Sequence, residues 1–418
     1  MASFVHQALD LDRTQIRLVR LLPSRDYSVS CEVHVFDFND CPPYEALSYV
    51  WGSDLETATI ELNGRPYEVR ENLWWFLEHA RMNNCSVDEH DVHLRRFGWL
   101  WIDQLCIDQN FPAEKNQQVQ MMSRIFENAK RAIVWLGPEE HDSDRALSVI
   151  MLAASLFSGD PYELSSMEKR QVCEFFHSDG ICNVRARQSV IAMFERPYWT
   201  RIWTVQEFLR AGELLIMCGN HAIFWVELAI FYRLYRFFID CMISKDPKYA
   251  LTKSIFGPAD RYIEHKFNAV WPASAVCKNT DFPHSCWQGY LYPPQWPLDS
   301  VLFSFSHLNC GDIRDKIFGL LGIVKEQDRI IVDYDQAPRT VFSMAMSVMR
   351  GRGQAYPDRS AFYRLGTIMG ATLKELSDCE FFTSKELVNA GRKRKLSNDI
   401  ATFAKRLMGN GVPTLAVP

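Results

Sequence analysis

Apolar and polar residues alternate along Gln15–Leu22 and again along Cys31–Phe36, the two-residue period of half-buried strands. The polar stretch Ser24–Tyr27 supplies a turn between them. Tyr44–Trp51 is a continuous apolar and aromatic run that stops at Gly52-Ser53-Asp54, the pattern of a strand buried on both faces. Thr57–Leu62 and Tyr67–Val69 flank Asn63-Gly64, the strongest short hairpin signal, and Asn72 is placed to cap a helix over Leu73–Met82. After a polar loop over 83–96, Phe97–Ile107 reads as a second apolar strand. Ala113–Lys130 then carries Val119, Met122, Ile125, Phe126 and Ala129 at helical spacing. Ala132–Leu136 is a third buried strand, ended by Gly137-Pro138. Helical sequence follows from Ser143 to about Phe157, over 166–194 and over Tyr198–Ala211, with a fourth strand at Leu214–Cys218.

Strands that alternate with helices, and are themselves continuous apolar runs, predict an α/β fold. The expected core is a mostly parallel sheet flanked by helices, with an N-terminal β-hairpin region and a helical C-terminal extension. Any active crevice then lies beyond the carboxyl ends of the strands. We divide the chain into three parts on this basis. Residues 1–220 form the α/β domain and 221–350 a helical, loop-rich extension containing Pro272, Pro283, Pro293, Pro294 and Pro297. Residues 351–418 form a basic helical tail with eleven basic against six acidic side chains.

Composition narrows the function. The chain of 418 residues is 47% hydrophobic and 13% aromatic, too apolar for wholesale disorder, and its formal charge of −5 disfavours a nucleic-acid binder. The most apolar long stretch, Leu214–Ile243, contains Glu227, Arg233, Arg236 and Asp240, so no membrane span is expected. Asp10, Asp12 and Arg13 interrupt any signal-like run near residue 1, and twelve cysteines occur without one C-x-x-C pair. The expectation is a cytoplasmic protein with reduced thiols. The basic run Gly391–Lys395 reads first as a solvated face, with a nuclear address as the alternative.

Three blocks together resemble the fungal heterokaryon-incompatibility (HET) domain. They are Tyr44–Gly52, then Leu100–Gln109 with Glu114-Lys115, Gln118-Val119, Met122 and Ala132–Gly137, then Phe194–Glu207. A fourth block, Asp312–Gly322 with Asp333-Tyr334, is similar to the segment that commonly follows the domain. The resemblance implies a role in non-self recognition and regulated cell death, an incompatibility partner protein, and self-association on activation. It also implies a core resembling Toll/interleukin receptor (TIR) domains, some of which hydrolyse NAD. On that resemblance Glu207 is the catalytic carboxylate, four residues after Trp203. Ser48, Trp51, Gly52, Asp103 and Trp203 are then the substrate-binding set, with NAD a substrate rather than a cofactor.

The residues themselves allow this chemistry. Breaking the nicotinamide–ribose bond releases a neutral group from a cationic one, so no general acid is needed, and one carboxylate suffices to steady the oxocarbenium charge. Trp51 and Trp203 offer rings for stacking. The competing account has Glu207 closing a buried ion pair with Arg201 or Arg196, in a non-enzymatic interaction module that signals through surface contacts. Asp103 suits a ligand-facing position, while Asp108 is read as a helix cap and Ser48 as touching a ligand or a neighbouring backbone group. Cys106 is read as a buried structural thiol, and Asp312, Arg314, Asp315 and Lys316 as an ion-pair network. Gly52-Ser53-Asp54 lacks a phosphate-loop pattern, and no histidine cluster has metal-ligand spacing.

Overall fold

The computed structural model describes residues 4–23, 28–85, 97–156, 164–178, 183–245, 295–349 and 360–372. The turn expected over 24–27, Pro272, Pro283, Pro293 and Pro294 of the proline-rich stretch, and the Gly391–Lys395 run lie outside them. The chain divides into two compact units, residues 1–335 and 336–418.

The first unit is built on one nine-stranded sheet, and the protein is α/β. Its strands are β1 (Gln15–Leu21), β2 (Ser30–Asp37), β3 (Tyr44–Tyr49), β4 (Thr57–Leu62), β5 (Arg65–Arg70), β6 (Trp99–Trp101), β7 (Ala132–Trp135), β8 (Leu214–Cys218) and β9 (His221–Phe224). They lie in the order β5-β4-β2-β1-β6-β3-β7-β8-β9. The neighbouring strands β6, β3, β7 and β8 are parallel, as their unbroken apolar sequences predict. The pairs β1–β2, β1–β6, β4–β5 and β8–β9 are antiparallel and β2–β4 is parallel, so the sheet is mixed, with its longest parallel run over β6-β3-β7-β8. All of β3, β7 and β8 is buried.

The described helices of this unit are α1 (Glu71–Cys85), α2 (Asp103–Cys106), α3 (Pro112–Asn128), α4 (Ser143–Leu156), α5 (Ser166–Ser178), α6 (Val184–Phe194), α7 (Thr204–Arg210), α8 (Trp225–Lys245), α9 (Leu298–Phe305) and α10 (Asp315–Phe318). Here α7 packs on β3, β7 and α3, and α4 packs on α6 and α8. In the second unit the described elements are α11 (Pro338–Met349) and α12 (Ser360–Ile368).

The Asn63-Gly64 hairpin forms as its sequence predicts, both residues taking positive φ (48° and 72°). Three local readings are corrected. The apolar run Phe97–Ile107 is a three-residue strand followed by the helical turn α2, because Asp103 and Gln104 turn the chain out of the sheet. Asn72 lies inside α1 rather than at its cap. Its Nδ2 donates to Val50 O (2.6 Å) and its Oδ1 accepts from Trp135 Nε1 (3.0 Å), fastening the ends of β3 and β7. The single helix expected over Tyr198–Ala211 is a 3-10 turn at Pro197–Thr200, an extended Arg201 bridged to Asn309, and only then α7.

One wholly buried ion pair joins the N-terminal hairpin to the central layer. Arg17 of β1 and Glu114 of α3, both 1% exposed, make a two-pronged contact at 2.6 and 2.9 Å. Arg17 also donates to Cys106 O (2.9 Å), and Glu114 accepts from Asp108 N (2.7 Å). Asp108 accepts from Asn110 N and organises this turn, while the residue before α3, Phe111, provides no side-chain cap. Breaking a buried pair leaves one charge uncompensated. Arg17→Met or Glu114→Leu alone is therefore expected to cost about 3–5 kcal/mol in urea unfolding, and the two together far less. A single-variant loss below about 1 kcal/mol would show that the pair does not hold the hairpin down.

Candidate functional site

Every residue of α7 is buried, although its sequence Thr-Val-Gln-Glu-Phe-Leu-Arg is half polar. Its polar side chains therefore reach into the surrounding layers. Gln206 Oε1 accepts from Gly322 N (3.0 Å), and Arg210 pairs with Glu127 of α3. Glu207 Oε2 accepts from Ser48 Oγ of β3 (2.5 Å), and Ser48 Oγ in turn lies 2.8 Å from Tyr198 Oη. Trp203, just before the helix, donates from Nε1 to Asp315 Oδ2 (3.0 Å). Gly322 is required by this docking: a Cβ there would sit 2.3 Å from Gln206 Oε1 and 2.7 Å from Ser123 Cβ.

Above this layer a cleft of about 470 Å³ opens beyond the carboxyl ends of β3 and β6, where the strand order places it. Val50, Trp51 and Gly52 form one rim and Asp103 part of the floor. Trp203, Arg201 and the 309–315 segment close the opposite side, with Tyr334. Gly52 has φ of +78°, a turn that an L side chain resists, and its carbonyl accepts from Arg70 Nη1 (2.6 Å). Trp51, Asp103 and Arg201 are linked. Trp51 Nε1 donates to Asp103 Oδ2 (2.6 Å), Arg201 Nη2 lies 3.8 Å from that oxygen, and Arg201 also donates to Tyr49 O.

Of the six residues singled out in the sequence, Trp51, Gly52, Asp103 and Trp203 line the cleft. Ser48 and Glu207 are 1% and 2% exposed and lie outside its lining, hydrogen-bonded to each other. Trp203, the N-cap residue of α7, and Glu207 have different partners: the tryptophan donates to Asp315 and the carboxylate accepts from Ser48 of β3. Arg196 is committed elsewhere, donating to the carbonyls of Leu136 and Pro138. Cys106 is buried, with its pKa pushed up to about 12 by burial, as a structural thiol should be.

Charge links the buried layer to the cleft. Burial raises the Glu207 pKa to about 7, opposed by the guanidinium of Arg201 and the hydroxyl of Ser48. Burial likewise raises Asp103, opposed by Arg201 and the Trp51 hydrogen bond. Arg201 is held above its ordinary value: burial works against its charge, and Glu207 and Asp103 outweigh it. Asp315 is raised by burial and steadied by Tyr334 Oη (2.6 Å) and Trp203. Among the described residues no group of three or more His, Cys, Asp or Glu is placed to hold a metal, and no helix is long and apolar enough to cross a membrane.

Sequence reasoning missed part of this site. Arg70, Lys115, Asn309, Cys310, Asp312, Asp315 and Tyr334 also line the cleft. The fourth family-like block was the available signal: it contains Asp312 and Asp315, and Tyr334 follows it. The charge cluster there is partly the expected network, since Arg314 pairs with Asp312 at 2.5 Å, while Lys316 donates to Leu308 O.

Residues 44–207, from the first residue of β3 to Glu207, match the family model described as Heterokaryon incompatibility protein (HET). Over these residues the chain is similar to the heterokaryon-incompatibility domain. It is 26% identical over 369 residues to heterokaryon incompatibility protein 6, OR allele, of Neurospora crassa, an alignment covering 82% of this chain and 52% of that protein. The chain thus spans about half the length of that curated relative. No solved structure matches it.

The Glu207 pKa carries a stability prediction. A carboxyl that binds its proton more tightly when folded stabilises the fold fully below the unfolded value near 4.5, and that contribution disappears as pH rises through about 7. The shift corresponds to about 3 kcal/mol at most. Urea unfolding of the parent should therefore weaken between pH 5 and 8 by more than that of Glu207→Gln, which has no proton to lose. Equal pH slopes in the two proteins would show that Glu207 is ionised throughout.

Proposed function

We propose that the chain acts in heterokaryon incompatibility as a cell-death effector whose cleft binds and hydrolyses NAD or a related dinucleotide. The observation that supports this reading is the cleft itself. Rings of Trp51, Trp203 and Tyr334 and the carboxylate of Asp103 meet in one concavity at the carboxyl ends of parallel strands. The rings suit the adenine and nicotinamide faces. In the reaction the C1′–N bond breaks and its electron pair leaves with nicotinamide, neutralising the ring. Water adds to C1′ and releases a proton, giving nicotinamide and ADP-ribose.

Glu207 lies behind Arg201 in this reading. Buried, hydrogen-bonded to Ser48 and half-protonated near neutral pH, it is held away from any substrate. That is the silent condition a toxic hydrolase needs when alone, and self-association or partner binding would shift the population to one in which the carboxylate is ionised and faces the cleft. A second reading rests on the same burial. A non-enzymatic module that signals through surface contacts has no use for an accessible Glu207, and the observed pairing is what it requires.

Nicotinamide release from NAD separates the two. It is measured on the purified protein dilute, concentrated and forcibly clustered, beside Glu207→Gln and Asp103→Asn. Hydrolysis is expected on clustering, with at least a hundredfold loss in folded Glu207→Gln, the order typical of removing a charge-stabilising group. No release from a folded, clustered parent would favour the interaction module.

A further inference from the structure

The cleft contains cations most of whose hydrogen-bonding capacity has no partner among the described residues. Arg70, the last residue of β5, lines it with its guanidinium over the Trp51 ring, 5.2 Å from the centroid. One of its five N–H groups is spent on Gly52 O. Lys115, in the first turn of α3, lines it with Nζ 4.5 Å from the Tyr334 centroid. Neither forms an ion pair among the described residues, and both are half-buried.

The acids of the cleft are in the opposite condition. Asp103 accepts from Trp51 and from Gln104 N (2.8 Å) with Arg201 beside it. Asp312 accepts from Arg314 through both oxygens, and Asp315 from Trp203 and Tyr334 through one each. Lys115 lowers the pKa of Asp312 and works in the same sense on Asp315, where burial prevails, without pairing with either. Acceptors are filled and donors are left over, so the complement of this cleft is an oxygen-rich anion. Each cation lies over a ring, Arg70 over Trp51 and Lys115 over Tyr334, and is half-buried, which strengthens a charge-assisted bond to an incoming anion.

We propose that Arg70 and Lys115 are the phosphate-binding residues of the cleft, taking the pyrophosphate of a dinucleotide ligand. This rests on the cleft being the nucleotide site, and it assigns the anionic half of that ligand to residues that neither the aromatic rim nor Glu207 supplies.

The test is calorimetric titration of the full chain with ADP-ribose, adenosine and inorganic pyrophosphate. It uses the parent, Arg70→Gln, Lys115→Gln, the double variant and Lys115→Arg. Each single change is expected to weaken ADP-ribose about tenfold, the worth of one charge-assisted bond, and the pair more, with adenosine unaffected. Pyrophosphate should compete with ADP-ribose on the parent, and Lys115→Arg should retain binding. A folded double variant that binds ADP-ribose like the parent overturns the assignment, as does a parent on which pyrophosphate does not compete. If the double variant fails to fold, the parent competition and Lys115→Arg decide. Phosphate binding that depends on the two residues, without nicotinamide release on clustering, would keep this subsite and remove the hydrolase reading.

Discussion

The burial of a seven-residue helix with four polar side chains is the constraint around which this molecule is arranged. No face of α7 meets water, so Gln206, Glu207 and Arg210 must find partners in three different layers. Gln206 fixes the 321–323 turn, Glu207 reaches β3 through Ser48, and Arg210 reaches α3 through Glu127. Trp203 adds a fourth direction, towards Asp315. The cleft is what remains open between the elements that this helix gathers. Among the described residues the solution is incomplete at Arg210, whose Nε and Nη1 have no hydrogen-bond partner, and at Gln206 Nε2.

The relation between Glu207 and the cleft follows from the same packing. Arg201 lies between them: its guanidinium reaches Asp103 and the Tyr49 carbonyl, and its charge acts on Glu207. A change in the protonation of the buried carboxyl therefore alters how strongly Arg201 is held from below, and so how it is shared with Asp103 at the cleft floor. The carboxylate that most resembles a catalytic one in sequence is thus coupled to the cleft without lining it.

Much of the fold was legible because it is set by short-range chemistry. Unbroken apolar runs at Tyr44–Tyr49, Ala132–Trp135 and Leu214–Cys218 gave the parallel centre, and Asn63-Gly64 gave the hairpin. The cleft residues Trp51, Gly52 and Asp103 were legible through the family resemblance of the blocks that contain them. What escaped was decided by distant partners. Arg201 leaves the helical pattern because it bridges to Asn309, more than a hundred residues on. Trp203 and Glu207 part company because Asp315 draws one and Ser48 the other. The opposite wall of the cleft is likewise a long-range matter, signalled by a motif whose position across the cleft no periodicity reveals.

The close fit of Gly322 against Gln206 has a thermodynamic consequence. The cleft is lined from two stretches of chain, 50–203 and 309–334, and the second is seated by a contact too tight for any side chain. A molecule touching both stretches binds only the seated arrangement and is in effect a clamp upon it. Its affinity then contains the seating free energy, and the seating equilibrium contains its affinity, by mass action. Loosening that one glycine contact would be felt as weaker binding at a cleft whose every lining residue was unchanged.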